Sequence, residues 1–254
     1  QEGYRDLLDS CRYVFLQHGV IKDDLSGWLN RYNKNISGFV VSAIPEYQSI
    51  LDGNYFYSPN QVWLTGLPRF DRLYHREENC IALMPTWRMY LMLAPNNETG
   101  IRLLKDGFEQ TEYYQFYNRL LNDPRLLRAL SECGYRMIFM PHPMIMPYID
   151  RFQKNDQVAF GSLNTKYRDV YSRCKLVVTD YSSAVFDFAY LRKPVIYTQF
   201  DQEAFFSGEH VYTKGYFDYE RDGFGEVETD LEGTVNRIIE YMENDCRLKD
   251  QYRA

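Results

Sequence analysis

Short apolar runs recur along the chain, and each stops at small polar or turn-forming residues. Tyr13-Val14-Phe15-Leu16 ends at Gln17-His18-Gly19, Phe39-Val40-Val41 ends at Ser42, and Val62-Trp63-Leu64-Thr65 closes at Gly66-Leu67-Pro68. Farther on, Cys80–Met84 is followed by Pro85-Thr86-Trp87-Arg88, Arg136–Met140 by Pro141-His142-Pro143, and Leu176-Val177-Val178 by Thr179-Asp180-Tyr181-Ser182-Ser183. With Pro194–Tyr197 these runs predict buried strands, because they are apolar throughout rather than alternating. Between them lie segments with helical spacing: 22–32, 45–51 opened by Pro45, 112–121, 125–133 behind Pro124, 165–173, 184 to about 191, and a long amphipathic stretch over 231–252. A further helix is expected at Tyr4–Ser10, and Pro95, Asn96, Asn97 and Gly100 mark a loop within 89–106. Short strands alternating with helices imply an α/β fold with parallel sheets covered on both faces.

The charged stretch Arg69–Asn79 lacks strand character and reads as a linker, which divides the chain into domains 1–75 and 76–254. The composition, 45% hydrophobic and 25% charged, is that of a globular protein. A net charge of −6 argues against a nucleic-acid groove. The five cysteines are odd in number, scattered and without CxxC spacing, which fits a reducing cytoplasm rather than a disulfide framework or a zinc site. No apolar run approaches the ~18 residues that span a bilayer, and no basic-then-apolar leader opens the chain. Because the chain starts at Gln1 and reaches its first strand almost at once, the expectation is an excised piece of a longer protein, with any membrane-binding segment outside it.

Three polar clusters directly follow strands, at 17–19, 141–143 and 179–183, where open α/β sheets bind ligands. Strand, polar turn and helix at 176–187 form the arrangement in which backbone N–H groups face a phosphate. Ser182 and Ser183 can cap that helix or donate hydroxyls to an anion, and Asp187, about one turn in, would reach a sugar hydroxyl. An ordinary N-cap is the competing reading, with Asp180 anchoring the turn and Asp187 answering the helix dipole. Gly19 allows close approach of a substrate just past His18, and Pro141 and Pro143 stiffen the backbone around His142.

Taken together, His18-Gly19, Pro85-Thr86-Trp87-Arg88, Pro141-His142-Pro143 and Thr179–Asp187 resemble the CDP-glycerol glycerophosphotransferase family, the teichoic-acid and capsule polymerases and primases. The resemblance runs from about Tyr13 to the C-terminus and includes Tyr216-Phe217-Asp218-Tyr219 through Gly225. Departures are Met89-Tyr90-Leu91 where the family has acidic residues, Gly225-Glu226 for its GP, and Val20-Ile21-Lys22 after the HG.

The resemblance implies a GT-B-like arrangement of two Rossmann-like domains facing across a cleft, the N-terminal one truncated. It implies that His18 is the base for an acceptor hydroxyl attacking the β-phosphorus of CDP-glycerol or CDP-ribitol, with CMP leaving. Imidazole accepts a proton near neutral pH, as general-base catalysis requires. His142, Arg88, Ser182 and Ser183 would hold the pyrophosphate, Arg88 by forked contacts, with Gly19, Thr179, Asp180 and Asp187 completing the binding set. The competing reading of Arg88 is a surface residue stacked on Trp87. Lys22 could steer an acceptor phosphate but reads better as a solvated lysine, and Glu203, Glu209 and His210 lie in a loop able to close over the site. No cofactor is expected, any Mg2+ being carried by the diphosphate. The acceptor would be a lipid-linked glycerol phosphate or glycan at the inner face of the cell membrane. The alternatives are a sugar-nucleotide glycosyltransferase or epimerase, and a non-catalytic module binding a nucleotide or anionic glycan.

Overall fold

A computed structural model describes residues 11–207 and 213–253; the helix expected at Tyr4–Ser10, together with Glu209 and His210, lies outside the described residues. The described residues fall into two units, 11–72 with 213–218, and 73–207 with 219–253. The return of 213–218 to the first unit has no signature in the sequence. Backbone contacts hold it there: Asp24 N donates to Thr213 O at 2.9 Å. At Gly215 a Cβ would stand 2.3 Å from Lys22 O, so only glycine allows this approach.

In the first unit β1 (Tyr13–Leu16), β2 (Ile36–Val41) and β3 (Val62–Leu64) form a parallel sheet in the order β1-β2-β3. The connections carry α1 (Ser26–Leu29) and α2 (Ile44–Asp52). Helix α1 is far shorter than the stretch 22–32 predicted. Asn30 ends it, since its side chain donates to Ser26 O and accepts from the N–H groups of Tyr32 and Asn33, offering the backbone an alternative to another turn. Phe39, Val41, Ile50, Tyr55 and Val62 form the core of this unit.

The second unit contains β4 (Cys80–Met84), α3 (Glu112–Leu121), α4 (Pro124–Glu132), β5 (Arg136–Phe139), β6 (Val158–Phe160), α5 (Tyr167–Arg173), β7 (Leu176–Thr179), α6 (Val185–Tyr190), β8 (Val195–Thr198), α7 (Gln202–Phe206), β9 (Gly225–Glu228) and α8 (Leu231–Glu243). All six strands are parallel, in the order β6-β5-β4-β7-β8-β9. Side chains of α3, α4 and α8, among them Tyr117, Leu120, Leu126, Leu130, Val235 and Ile238, pack with Ile81, Leu83, Val178 and Ile196 of the sheet.

Sequence reasoning missed β6, β9 and α7, and overextended the last helix. Strand β9 reads Gly-Glu-Val-Glu, without an apolar run, and pairs because β8 presents a free edge. Gly225 lies so near β8 that a Cβ would sit 1.7 Å from Val195 O. Helix α8 stops at Glu243 because Asp245 and Cys246 turn left-handed, with φ of 53° and 49°.

Candidate functional site

The second sheet is wound in two directions from β4. The chain passes from β4 to β5 and β6 on one side, then crosses to β7, β8 and β9 on the other. The order therefore reverses between β4 and β7, where Met84 lies opposite Thr179, and the loops leaving these carboxyl ends border the crevice in which such sheets bind ligands.

The floor of this region is a buried network. Asp180, directly after β7, accepts on one oxygen from Thr86 N at 2.8 Å and Tyr181 N at 2.6 Å. Its other oxygen accepts from Tyr117 Oη at 3.1 Å and pairs with Arg88 Nη1 at 2.9 Å. Arg88 also donates from Nε and Nη2 to the two oxygens of Asp201, at 2.6 and 3.0 Å, and from Nη1 to Thr86 O at 2.8 Å. Tyr181, stacked on Phe205 with centroids 3.7 Å apart, lies over the guanidinium, as does Phe205. Burial alone would pull the Arg88 guanidinium down, but the charges of Asp180 and Asp201 outweigh it and raise its pKa above the ordinary arginine value. Thr179 Oγ1 donates to Met84 O at 2.7 Å, and Thr198 Oγ1 donates to Thr179 O at 3.1 Å.

Several assignments change accordingly. Arg88 is 0% exposed and committed to two carboxylates and a carbonyl, so it is neither a phosphate ligand at the surface nor a surface arginine stacked on Trp87. Thr179 and Asp180 are equally buried and hold strand ends together, so Asp180 anchors the turn instead of meeting substrate. Asp187 is 1% exposed, which leaves no surface to offer a sugar hydroxyl. Helix α6 begins at Val185 with Ala184 as its uncapped N-cap, so Ser182 and Ser183 form the turn ahead of the helix rather than its cap. Ser182 Oγ accepts from Ala184 N at 3.2 Å, and both serines are half-buried.

His142 joins this group. Its N–H donates to Pro85 O at 3.0 Å, which ties the loop after β5 to that after β4, and its ring lies 6.0 Å from that of Trp87. Met144 N donates to His142 Nδ1 at 3.2 Å, which assigns the ring proton of neutral His142 to Nε2. Two buried polar atoms at these strand ends lack a hydrogen-bond partner, Thr86 Oγ1 and Gln199 Nε2. Thr86 was visible only as part of the Pro85–Arg88 motif and Gln199 not at all, because burial without a partner is visible only in three dimensions.

In the first unit His18 is exposed directly after β1, with Gly19 buried behind it. His18 N donates to Gln17 Oε1 at 2.9 Å, and the Arg69 guanidinium donates to His18 O. The loop is clamped by Glu46, which sequence reasoning passed over. This buried carboxylate in the first turn of α2 accepts from Ile21 N and Ser42 N, both at 2.7 Å, and so joins the loops after β1 and β2. Burial raises the pKa of Glu46, against the opposing pull of those N–H groups. Lys22 is 3% exposed and pairs with Asp23 at 2.5 Å, so it is not a solvated lysine. Glu203 is exposed in the first turn of α7. Among the described residues no group of three or more His, Cys, Asp or Glu is arranged to hold a metal, and no helix is long and apolar enough to cross a membrane.

A doubly wound parallel sheet whose strand order reverses between β4 and β7 defines a Rossmann-type α/β unit. Residues 13–254 match the model of the CDP-glycerol:poly(glycerophosphate) glycerophosphotransferase family, and the chain belongs to that family. It is 41% identical over 251 residues to the minor teichoic acid biosynthesis protein GgaB of Bacillus subtilis, a match covering 98% of this chain and 27% of that protein. It is 25% identical to a teichoic acid glycerol-phosphate transferase of Staphylococcus aureus, over 84% of this chain and 57% of the relative. The structure of the wall teichoic acid polymerase TagF shares the fold, with a TM-score of 0.65 at 15% identity, over 92% of this chain and 61% of that one. The chain thus spans a quarter to three-fifths of the length of these relatives.

Proposed function

We propose that the protein transfers glycerol phosphate, or another alditol phosphate, from a CDP-alditol to a hydroxyl of a lipid-linked or polymer acceptor in teichoic acid or capsule synthesis, releasing CMP. Family membership across residues 13–254 carries this reading. The loops after β5 and β7, which flank the switch point beside β4, support it, since they carry an imidazole and two hydroxyls at the carboxyl ends of the strands. His142, Ser182 and Ser183 donate to the diphosphate oxygens, His142 from Nε2. Arg88 acts beneath them as an anchor. His18 takes the proton of the acceptor hydroxyl as its oxygen bonds to the β-phosphorus, and the bond from phosphorus to the oxygen shared with the CMP phosphate breaks. Such transfer depends on positioning and charge neutralisation more than on covalent help from the protein. The work is done at the inner face of the cell membrane, where a lipid-linked acceptor is reached.

The test measures CMP release from CDP-glycerol in the presence of a glycerol-phosphate-primed lipid, alongside thermal shifts with CDP-glycerol and with UDP-sugars. Release of CMP that depends on the acceptor, with stabilisation by CDP-glycerol, is expected. Stabilisation by a UDP-sugar alone would replace this reading with a sugar-nucleotide enzyme.

A further inference from the structure

We infer that Cys80 and Cys174 form a covalent modification site, a thiol pair that a hydroperoxide closes to a disulfide at the amino-terminal end of the second sheet. The inference is independent of the transferase reading. In sequence the two residues are 94 apart and belong to no CxxC motif. Parallel pairing brings them together. Ile81 lies opposite Leu176, and Lys175 N donates to Cys80 O at 2.8 Å, so Cys174, two residues before β7, is drawn alongside the start of β4. The sulfur atoms are 3.1 Å apart, with the Cys174 thiol donating to Cys80 Sγ. Closing to the ~2.05 Å of a disulfide needs the sulfur atoms to approach by about 1 Å.

The two thiols differ in access and in proton affinity. Cys80 is half-buried at the start of β4, whereas Cys174 is 1% exposed, so an oxidant arriving from solvent meets Cys80 first. The hydrogen bond from Cys174 lowers the Cys80 pKa against the effect of burial, and the nearby charges of Arg173 and Lys193 act in the same direction. That same hydrogen bond, followed by burial, pushes Cys174 up, so it keeps its proton. The division is that of an attacking thiolate and a resolving thiol.

The surrounding chain holds Cys174 in place. Lys193, 2% exposed, donates from Nζ to the carbonyls of Tyr171, Ser172 and Cys174 at 2.7, 2.9 and 2.8 Å, and pairs with Glu77 at 3.7 Å. Arg76 N and Glu78 N donate to Ser172 O and Arg173 O, so the segment leading into β4 is laced to the loop that carries Cys174.

In the first step the Cys80 thiolate attacks one oxygen of hydrogen peroxide. The O–O bond breaks, hydroxide leaves, and Cys80 becomes the sulfenic acid, its sulfur oxidised by two electrons as the peroxide is reduced. In the second step the Cys174 sulfur attacks the Cys80 sulfur, the S–O bond breaks, and the Cys174 proton leaves with the hydroxide as water. Two thiols and one peroxide thus give one disulfide and two waters, and a thiol reductant reverses the change. The bond ties β4 to the approach to β7 at the end of the sheet remote from Ser182 and His142. It raises resistance to unfolding while leaving that site in place, and it spares Cys80 from irreversible oxidation.

The experiment treats the reduced protein with hydrogen peroxide at neutral pH, blocks remaining thiols with an alkylating reagent and maps the peptides by mass spectrometry. The expected product is a peptide pair joining Cys80 to Cys174, lighter by two hydrogens and restored by dithiothreitol. Its formation coincides with a rise in melting temperature. In Cys174→Ser the peroxide product is instead a sulfenic acid on Cys80, trapped by dimedone. A short alkylation of the untreated wild type provides a check that needs no variant, Cys80 reacting about tenfold faster than Cys133. Linkage of Cys80 to a different cysteine, absence of the cross-link, or equal alkylation of Cys80 and Cys133 would overturn the inference.

Discussion

Replacing Arg88 with methionine separates an anchor from a ligand. The substitution keeps much of the side-chain length but removes the charge facing Asp180 and Asp201, which are 0% and 5% exposed. Four polar contacts disappear with it: two to Asp201, one to Asp180 and one to Thr86 O. Removing one partner of a buried ion pair costs about 3–5 kcal/mol, because the remaining charge keeps its desolvation penalty without compensation. For a unit of this size each kcal/mol lowers Tm by roughly 2–4 °C, so a fall of about 6–20 °C is expected. Arg88→Lys keeps the charge but cannot fork onto Asp201 while reaching Thr86 O and Asp180, and a loss of about 1.5–3 kcal/mol is expected from the missing charged hydrogen bonds. In combination with Asp201→Asn, Arg88→Met costs less than the two changes summed, with a coupling of about 0.5–3 kcal/mol. Circular-dichroism melts and urea titrations of the wild type, the three single variants and the double variant measure these quantities. If Arg88→Met melts with the wild type while CMP release collapses, Arg88 is a substrate contact and the anchoring argument fails.

His18→Asn is expected to lower turnover by about 10²–10⁴-fold, the ordinary contribution of general-base catalysis, with Tm unchanged because the side chain is exposed; wild-type turnover would remove it as the base. Tyr117→Phe deletes the hydroxyl shared by Asp180 and Thr198 and is expected to cost about 1–2 kcal/mol in a urea titration; no change would mean that the buried oxygens find other donors. The raised pKa of Glu46 means that the folded state holds its proton more tightly than the unfolded one. Its favourable contribution is complete below the ordinary value of 4.5 and fades as pH rises through the raised folded value. Glu46→Gln should therefore remove a downward component from the stability-versus-pH curve in that window, and identical slopes for the two proteins would contradict the assignment.

The elements that sequence reasoning placed well share a physical cause. Cys80–Met84 and Glu112–Leu121 appear with the predicted bounds because a buried strand needs an apolar run, and an amphipathic helix needs its spacing, within a few residues. His18, His142 and the two serines were visible for a similar reason, as polar residues that abruptly end apolar strands. Arg88 was legible as a residue type but not in its destination, since its partners lie 92 residues away at Asp180 and 113 away at Asp201. Glu46 and Gln199 carried no local sign that they would be buried among strand ends, and Thr86, though placed at one, carried none of its burial.

From the sequence alone came the parallel α/β class, the polar strand ends and the family resemblance, since short-range periodicity and ordered motifs are properties of the linear chain. Tertiary structure alone decided that Arg88 and Asp180 brace the site from below, that Asp187 is withdrawn from solvent, that β9 is a strand, and that two distant thiols meet. Each of those outcomes depends on which strands become neighbours, and a buried charge or an unpaired edge finds its partner only after the strands have taken their places.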